Sequence, residues 1–195
     1  MALIQAHIKL GVHPDQWKVA GGEAIPKPGK DDYSAAKAYW VISLLNCLGE
    51  MVEKVAAMLV SAHCELTGGF HPGQYGCLSR RSAVDAIRVV VAQTQEAWQR
   101  GCVVGALLMD VAAAFPSAAH GFLVKMRERG IEECLVNWTD SFMRNRRVIM
   151  SVDGWDGDPL EATAGLPQGS PISPVLFAIY IADIHQAVEG QVEDC

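Results

Sequence analysis

Beyond Val152 the sequence holds no lysine or arginine, and that absence decides how its charge is read. A net charge of −6 argues against a polyanionic partner, yet residues 1–152 carry 16 basic against 14 acidic side chains, while residues 153–195 carry none against 8. The acidity belongs to the final stretch and leaves the earlier part free to meet phosphates. There is no C-x-x-C pair either: the cysteines at 47, 64, 77, 102, 134 and 195 are scattered through largely apolar surroundings, where a thiol behaves as a small hydrophobe. A disulfide framework is excluded, and His63, Cys64, His71 and Cys77 lack the spacing of a zinc knuckle or finger. Long apolar runs are missing as well. The best, 102–109 and 175–182, fall far below the ~18 residues that cross a bilayer, and the N-terminus shows no basic flank with a cleavage site. A soluble, intracellular chain without membrane contact is expected.

What is present suits a folded body. With half of its 195 residues apolar, the chain can bury roughly 70% of its unfolded surface as one domain or two lobes. Residues 20–33 are rich in Gly, Pro and Lys and predict an exposed loop or hairpin. Apolar positions three and four apart (Met51, Val52, Val55, Met58, Leu59) predict a helix over 48–66, and Val84, Ile87, Val90, Val91 and Trp98 predict an amphipathic one over 82–100. The nearly continuous apolar run from Val103 to Met109 reads as a buried strand with Asp110 at its carboxyl end. Short helices over 119–129 and 132–143, split by Gly130, precede a strand over 148–152 and turn chemistry at Asp153-Gly154 and Asp156-Gly157.

Residues 165–174 read GLPQGSPISP. The run breaks regular structure yet opens directly into the apolar stretch 175–182, so a shaped loop is pinned to a rigid helix. Gly165 and Gly169 permit close backbone approach, and the Gln168 amide offers both a donor and an acceptor. Such a loop suits a base pair or a sugar-phosphate; the plainer reading is a turn that opens a helix. Asp110 is equally two-sided. A carboxylate at the tip of a buried strand is a metal ligand, or else a helix cap or turn aspartate.

Five residues after Asp110 comes Phe115, and this D-x4-F spacing followed by GLPQGSPISP resembles the reverse transcriptase domain of a non-LTR (LINE-type) retrotransposon, in the style found in fungal genomes. The resemblance is collinear. It runs through Ala24–Lys30, Asp32-Tyr33-Ser34, Lys37-x-Tyr39, Ile42–Gly49 and Glu53-Lys54, then Gly73–Gly76 and Arg80–Ala83, then Leu108–Asp110, Phe142–Arg147 and Gly165–Pro174. It implies an α+β right-hand polymerase fold, with a fingers-like region over 1–100 and a partial palm over 101–195. It also implies an RNA template, a DNA primer and a deoxynucleoside triphosphate as partners, with Mg2+ or Mn2+ as cofactor. Asp110 would be the catalytic carboxylate and, with the carbonyl of Val111, a metal ligand. Phe115 would pack under the sugar, with Lys37, Gln168 and Gly169 also at the nucleotide. Lys27, Lys30, Arg80 and Arg81 would meet the template backbone, with Gly165 as the hinge of the loop.

Two departures from that pattern bear on activity. Trp40-Val41 follows Tyr39 where the family has Arg-Pro, so a cation suited to gripping a triphosphate is missing. No adjacent aspartate pair follows the loop; Tyr180-Ile-Ala-Asp183 lies in the predicted helix and has no turn before it, so Asp183 is expected on a helix surface. The expectation is a polymerase fragment ending before its paired-aspartate hairpin and thumb, inactive by itself. The alternative is a non-catalytic nucleic-acid-binding remnant. Other phosphate and acyl-transfer chemistry is excluded: Gly29-Lys30 is followed by Asp31 where a P-loop needs Ser or Thr, and Gly169-Ser170-Pro171 lacks the G-x-S-x-G frame.

Overall fold

The computed structural model describes residues 2–118, 121–152 and 154–189. Helix α1 (Ala2–Leu10) leads through a 3-10 turn into strand β1 (Val19–Pro26), which folds back as β2 (Tyr39–Leu44). Helices α2 (Cys47–Thr67) and α3 (Ala83–Gln99) follow, then a one-turn α4 (Ala114–Ser117), α5 (Phe122–Glu128) and α6 (Glu133–Met143). Strands β3 (Arg147–Val152), β4 (Trp155–Asp156) and β5 (Leu160–Glu161) precede the last helix, α7 (Ser173–Glu189). The architecture is mixed α and β.

The basic stretch 20–33 is indeed part of a hairpin: β1 and β2 pair antiparallel from Gly21↔Leu44 to Pro26↔Tyr39. On its other edge β1 pairs parallel with β3, from Val19↔Arg147 to Glu23↔Ser151. β4 and β5 share the far edge of β3, both antiparallel, with Val152 opposite Trp155 and Arg147 opposite Glu161. The sheet therefore joins the beginning of the chain to residues near 150.

Helices α1, α2, α5, α6 and α7 surround one apolar core, whose fully buried members include Val52, Val60, Phe122, Met126, Trp138, Phe142, Leu176 and Ile179. α2 starts where it does because Asn46 Oδ1 accepts the backbone N–H of Leu48 (3.0 Å) and Gly49 (3.2 Å), two donors with no partner inside the helix. It stops at Gly68, whose left-handed backbone (φ 69°) closes a bond to the Cys64 carbonyl. In α6, Trp138 stacks on Phe142 at 5.5 Å. Asp183 of α7 is half-buried rather than a free surface residue: Lys125 Nζ (2.5 Å) and Arg129 Nη2 (2.9 Å), from α5 and the turn after it, both reach its carboxylate.

One expected element does not form. Residues 103–109 adopt no strand and are exposed, Val103 by 93% and Leu108 by 89%. A strand exists only through ladder partners, and the sheet pairs found run through 19–26, 39–44 and 147–161, none of which reaches this segment. Asp110 is accordingly at the tip of no strand. α3 does form, held by a capping box in which Ser82 and Asp85 exchange side-chain and backbone bonds. No residue of α3 is buried, and Val84, Ile87, Val90, Val91 and Trp98 face outward. The chain exposes 12675 Å², against about 9,000 Å² for a compact monomer of its 21.1 kDa mass.

Candidate nucleotide and nucleic-acid interface

The loop 165–172 is largely buried and tied at both ends. At its start, the Leu166 N–H donates to the carbonyl of Phe115 (2.8 Å), so the two motifs that are 50 positions apart in sequence meet directly. Gly165 has φ +75°, and a Cβ there would lie 2.6 to 2.8 Å from backbone atoms of Pro116; only glycine lets these two segments touch. The Phe115 ring packs edge-on against Phe177 of α7 at 5.3 Å, half-buried at the border of the core. The loop thus sits on the residue five beyond Asp110 and on the helix that follows.

At its tip, the Gln168 carbonyl accepts the Ser43 N–H of β2 at 2.7 Å. Gly169 (φ +120°) approaches the same strand so closely that a Cβ would be 2.6 Å from the Ser43 carbonyl oxygen. Gly169 itself is exposed and the Gln168 side chain half-buried. The tip therefore lies beside the β1–β2 hairpin whose far end carries the basic residues. The loop closes on itself through Ser173 Oγ, which donates to the Pro167 carbonyl at 2.8 Å.

Beneath the loop lie two buried ionisable side chains, each bonded to a different end of it. Glu53 of α2 accepts a short hydrogen bond from the Ser170 hydroxyl. Arg146, at the α6–β3 link, donates through Nη2 to the Gly165 carbonyl (2.5 Å) and through Nε to the Met143 carbonyl (3.3 Å). Burial pushes the Glu53 carboxyl up to about 7, opposed by the Ser170 hydrogen bond, with Glu50 raising it further and Arg146 lowering it. The Arg146 guanidinium is lowered to about 10, again by burial first, with Glu53 acting the other way. Neither residue stood out in the sequence as a site residue. A signal existed: three, four and seven positions beyond Glu53 stand Ala56, Ala57 and Val60, all buried, so the glutamate falls on the inward stripe of α2.

The remaining candidates are dispersed. In the hairpin, Lys27 Nζ donates to the Lys37 carbonyl (2.9 Å), while the side chains of Lys30 and Lys37 are exposed. Arg81 is turned inward on its own neighbourhood: Nη1 donates to the carbonyls of Pro72 (2.7 Å) and Gln74 (2.6 Å), and the guanidinium lies 5.7 Å from the Tyr75 ring centre. Its geometry is that of a loop clamp. Arg80, exposed with φ 59°, leads into α3. Asp110 and Val111 are exposed in the segment that lacks regular structure. Among the described residues no three His, Cys, Asp or Glu side chains gather to hold a cation. Likewise, among the described residues no helix is long and apolar enough to cross a membrane.

A family model described as "Reverse transcriptase (RNA-dependent DNA polymerase)" matches residues 25–195. The chain belongs to the reverse transcriptase family. The matched span takes in β2 with its basic hairpin, the Phe115 segment and the whole loop. Among similar proteins, "RNA-directed DNA polymerase from mobile element jockey" of Drosophila funebris is 27% identical over 188 residues, 95% of this chain and 20% of the relative. "RNA-directed DNA polymerase from mobile element jockey" of Drosophila melanogaster is 28% identical over 178 residues, 91% of this chain and 19% of the relative. "Probable RNA-directed DNA polymerase from transposon X-element" of Drosophila melanogaster is 26% identical over 185 residues, 94% of this chain and 20% of the relative. This reverse transcriptase chain spans about a fifth of the length of the curated relatives it matches.

Proposed function

We propose that the chain is part of the RNA-directed DNA polymerase of a LINE-type retrotransposon, and that residues 165–170 form the platform for the nascent base pair. The observation that carries this reading is the junction of Phe115 with the loop: the Leu166–Phe115 backbone bond sets an aromatic ring and a glycine-bearing tip on one rigid helix. In this arrangement Gln168 and Gly169 lie against the base pair, Phe115 supports the sugar and Gly165 is the hinge. Lys27, Lys30 and Lys37 on the neighbouring hairpin meet template or triphosphate oxygens, as does Arg80 at the start of α3. Arg81 acts on the template side indirectly, by fixing the loop 71–75 that precedes it.

Asp110 is the proposed metal-binding carboxylate, together with the Val111 carbonyl. Divalent Mg2+ or Mn2+ would neutralise the triphosphate and activate the primer hydroxyl. One exposed carboxylate supplies too little negative charge to hold two such ions, so this chain alone binds primer–template without extending it. Primer extension on an RNA template with Mg2+ or Mn2+, beside anisotropy with an RNA–DNA hybrid, tests both halves. The expected result is hybrid binding that weakens as salt rises, and no extension. Template-dependent synthesis abolished by Asp110→Ala overturns the inactivity; absence of hybrid binding at low salt overturns the platform.

A further inference from the structure

The loop that carries the proposed platform is braced from below by groups that no motif assigns. Ser170 is buried and directs its hydroxyl at the Glu53 carboxylate, while its Oγ also accepts the Ile172 N–H (3.3 Å). Two residues away, the Gln168 carbonyl holds the Ser43 N–H (2.7 Å). At the other end of the same loop, Arg146 holds the Gly165 carbonyl (2.5 Å) and also acts electrostatically on Glu53. One buried acid and one buried base, on α2 and on the α6–β3 link, therefore grip the two ends of one short segment.

We propose that Glu53 is a positioning residue of the reverse transcriptase site: through Ser170, and opposite Arg146, it fixes the Gln168–Gly169 tip against Ser43 of β2 and so sets how the platform meets the nucleic acid. The proposal rests on the platform reading given above. The bond has a direction. An ionised Glu53 can only accept from the Ser170 hydroxyl, which leaves Ser170 Oγ free to accept from Ile172; protonation gives Glu53 a donor and leaves its carbonyl oxygen as the weaker acceptor, so the Ser170 bond loses its fixed direction. The charged groups bearing on Glu53 are Glu50, one turn earlier on α2, and Arg146. With the carboxyl held near neutrality by burial, the exchange between these arrangements falls between pH 6 and 8.

The test follows two independent signals in the 195-residue chain: hydrogen exchange at the Ser43 and Ile172 amides, and RNA–DNA hybrid affinity by anisotropy. Ser170→Ala and Glu53→Ala are expected to speed exchange at Ser43 at least tenfold while the Val136 amide in α6 is unchanged, and to weaken hybrid binding about tenfold. Glu53→Gln, which keeps a hydrogen bond to Ser170 but cannot ionise, is expected to retain protection and affinity and to lose the threefold or greater change in both that the unmodified chain shows from pH 6 to 8. If Glu53→Ala does not fold, Ser170→Ala decides. Unchanged Ser43 exchange in Ser170→Ala, or a change in the Ser43 protection factor from pH 6 to 8 that survives in Glu53→Gln, overturns the proposal. So does faster exchange with hybrid affinity intact. A chain that binds no hybrid in any form defeats the platform reading instead, and exchange at Ser43 still reports on the brace.

Discussion

Two stretches of this chain have a similar apolar fraction and opposite fates. Residues 165–182 are packed, with Leu166, Ile172, Leu176 and Ile179 buried, whereas residues 83–111 expose Ile87, Trp98, Leu107 and Leu108. The apolar fraction does not separate them, although residues 83–111 carry five charged side chains and residues 165–182 none. The difference lies in partners: α7 meets α2 and α5, while among the described residues no apolar side chain of α3 or of the segment after it is buried by a neighbour. Burial of apolar area is favourable only when a complementary surface removes that area from water. Apolar periodicity therefore reports the capacity for burial, and the fold decides whether it is used.

The largest expected effect comes from cutting one leucine in each stretch. Leu176 is fully buried, so Leu176→Ala removes contacts and leaves a cavity, at about 2 to 5 kcal/mol. Leu107, 83% exposed, should cost less than about 0.5 kcal/mol when replaced by alanine. Denaturant unfolding of both variants makes the measurement. A Leu107→Ala loss comparable to that of Leu176→Ala would mean that the second stretch is covered after all, and the contrast between them would fall.

A smaller effect sharpens the same contrast at the level of the backbone. Alanine at Gly165 must adopt φ +75° and push its methyl into Pro116, for about 2 to 4 kcal/mol of strain and overpacking. Alanine at Gly105 meets nothing within 4 Å and should leave stability within about 0.5 kcal/mol. Thermal unfolding reads both. Equal shifts in the two variants would show that the loop is not held against Phe115 as described.

These contrasts also explain what was legible in the sequence. Helix α2 was expected over 48–66 and spans 47–67, and the β3 strand differs from expectation by one residue, because caps and periodicity act locally. The strand over 103–109 was misread for the reason that makes strands hard: its existence depends on a ladder partner elsewhere. The parallel pairing of β1 with β3, which joins Val19 to Arg147, left no local trace. In the loop, Gly165 and Gly169 were legible as points of close backbone approach, whereas Phe115 was picked out by the family resemblance and not by its residue type. The bracing pair Glu53 and Arg146 was not legible, since a buried charge looks like a surface charge until its neighbours are known. Asp110 was read at a strand end, and its segment carries no such element.

The smallest net effect comes from two buried titrating groups outside both stretches, which act on stability with opposite sign. His13 sits against Trp17, Trp138 and Phe142, and burial above all, then Lys18, lowers it from 6.5 to about 4. Between those values the unfolded chain binds the extra proton, so the His13 contribution to stability grows as pH rises from about 4 to 6.5. Glu53 is raised from 4.5 to about 7; there the folded chain holds the extra proton, and stability falls as pH rises across that window. Each shift corresponds to roughly 1.4 kcal/mol per pH unit, and over the shared interval the two slopes cancel. The unmodified chain should therefore show nearly flat stability through the overlap, Glu53→Gln a rise with pH, and His13→Phe a fall. Urea midpoints at half-unit intervals from pH 4 to 7.5 resolve the three profiles. Parallel profiles in all three proteins would mean that both groups are solvated, and the packing described for His13 and for the loop brace would fall together.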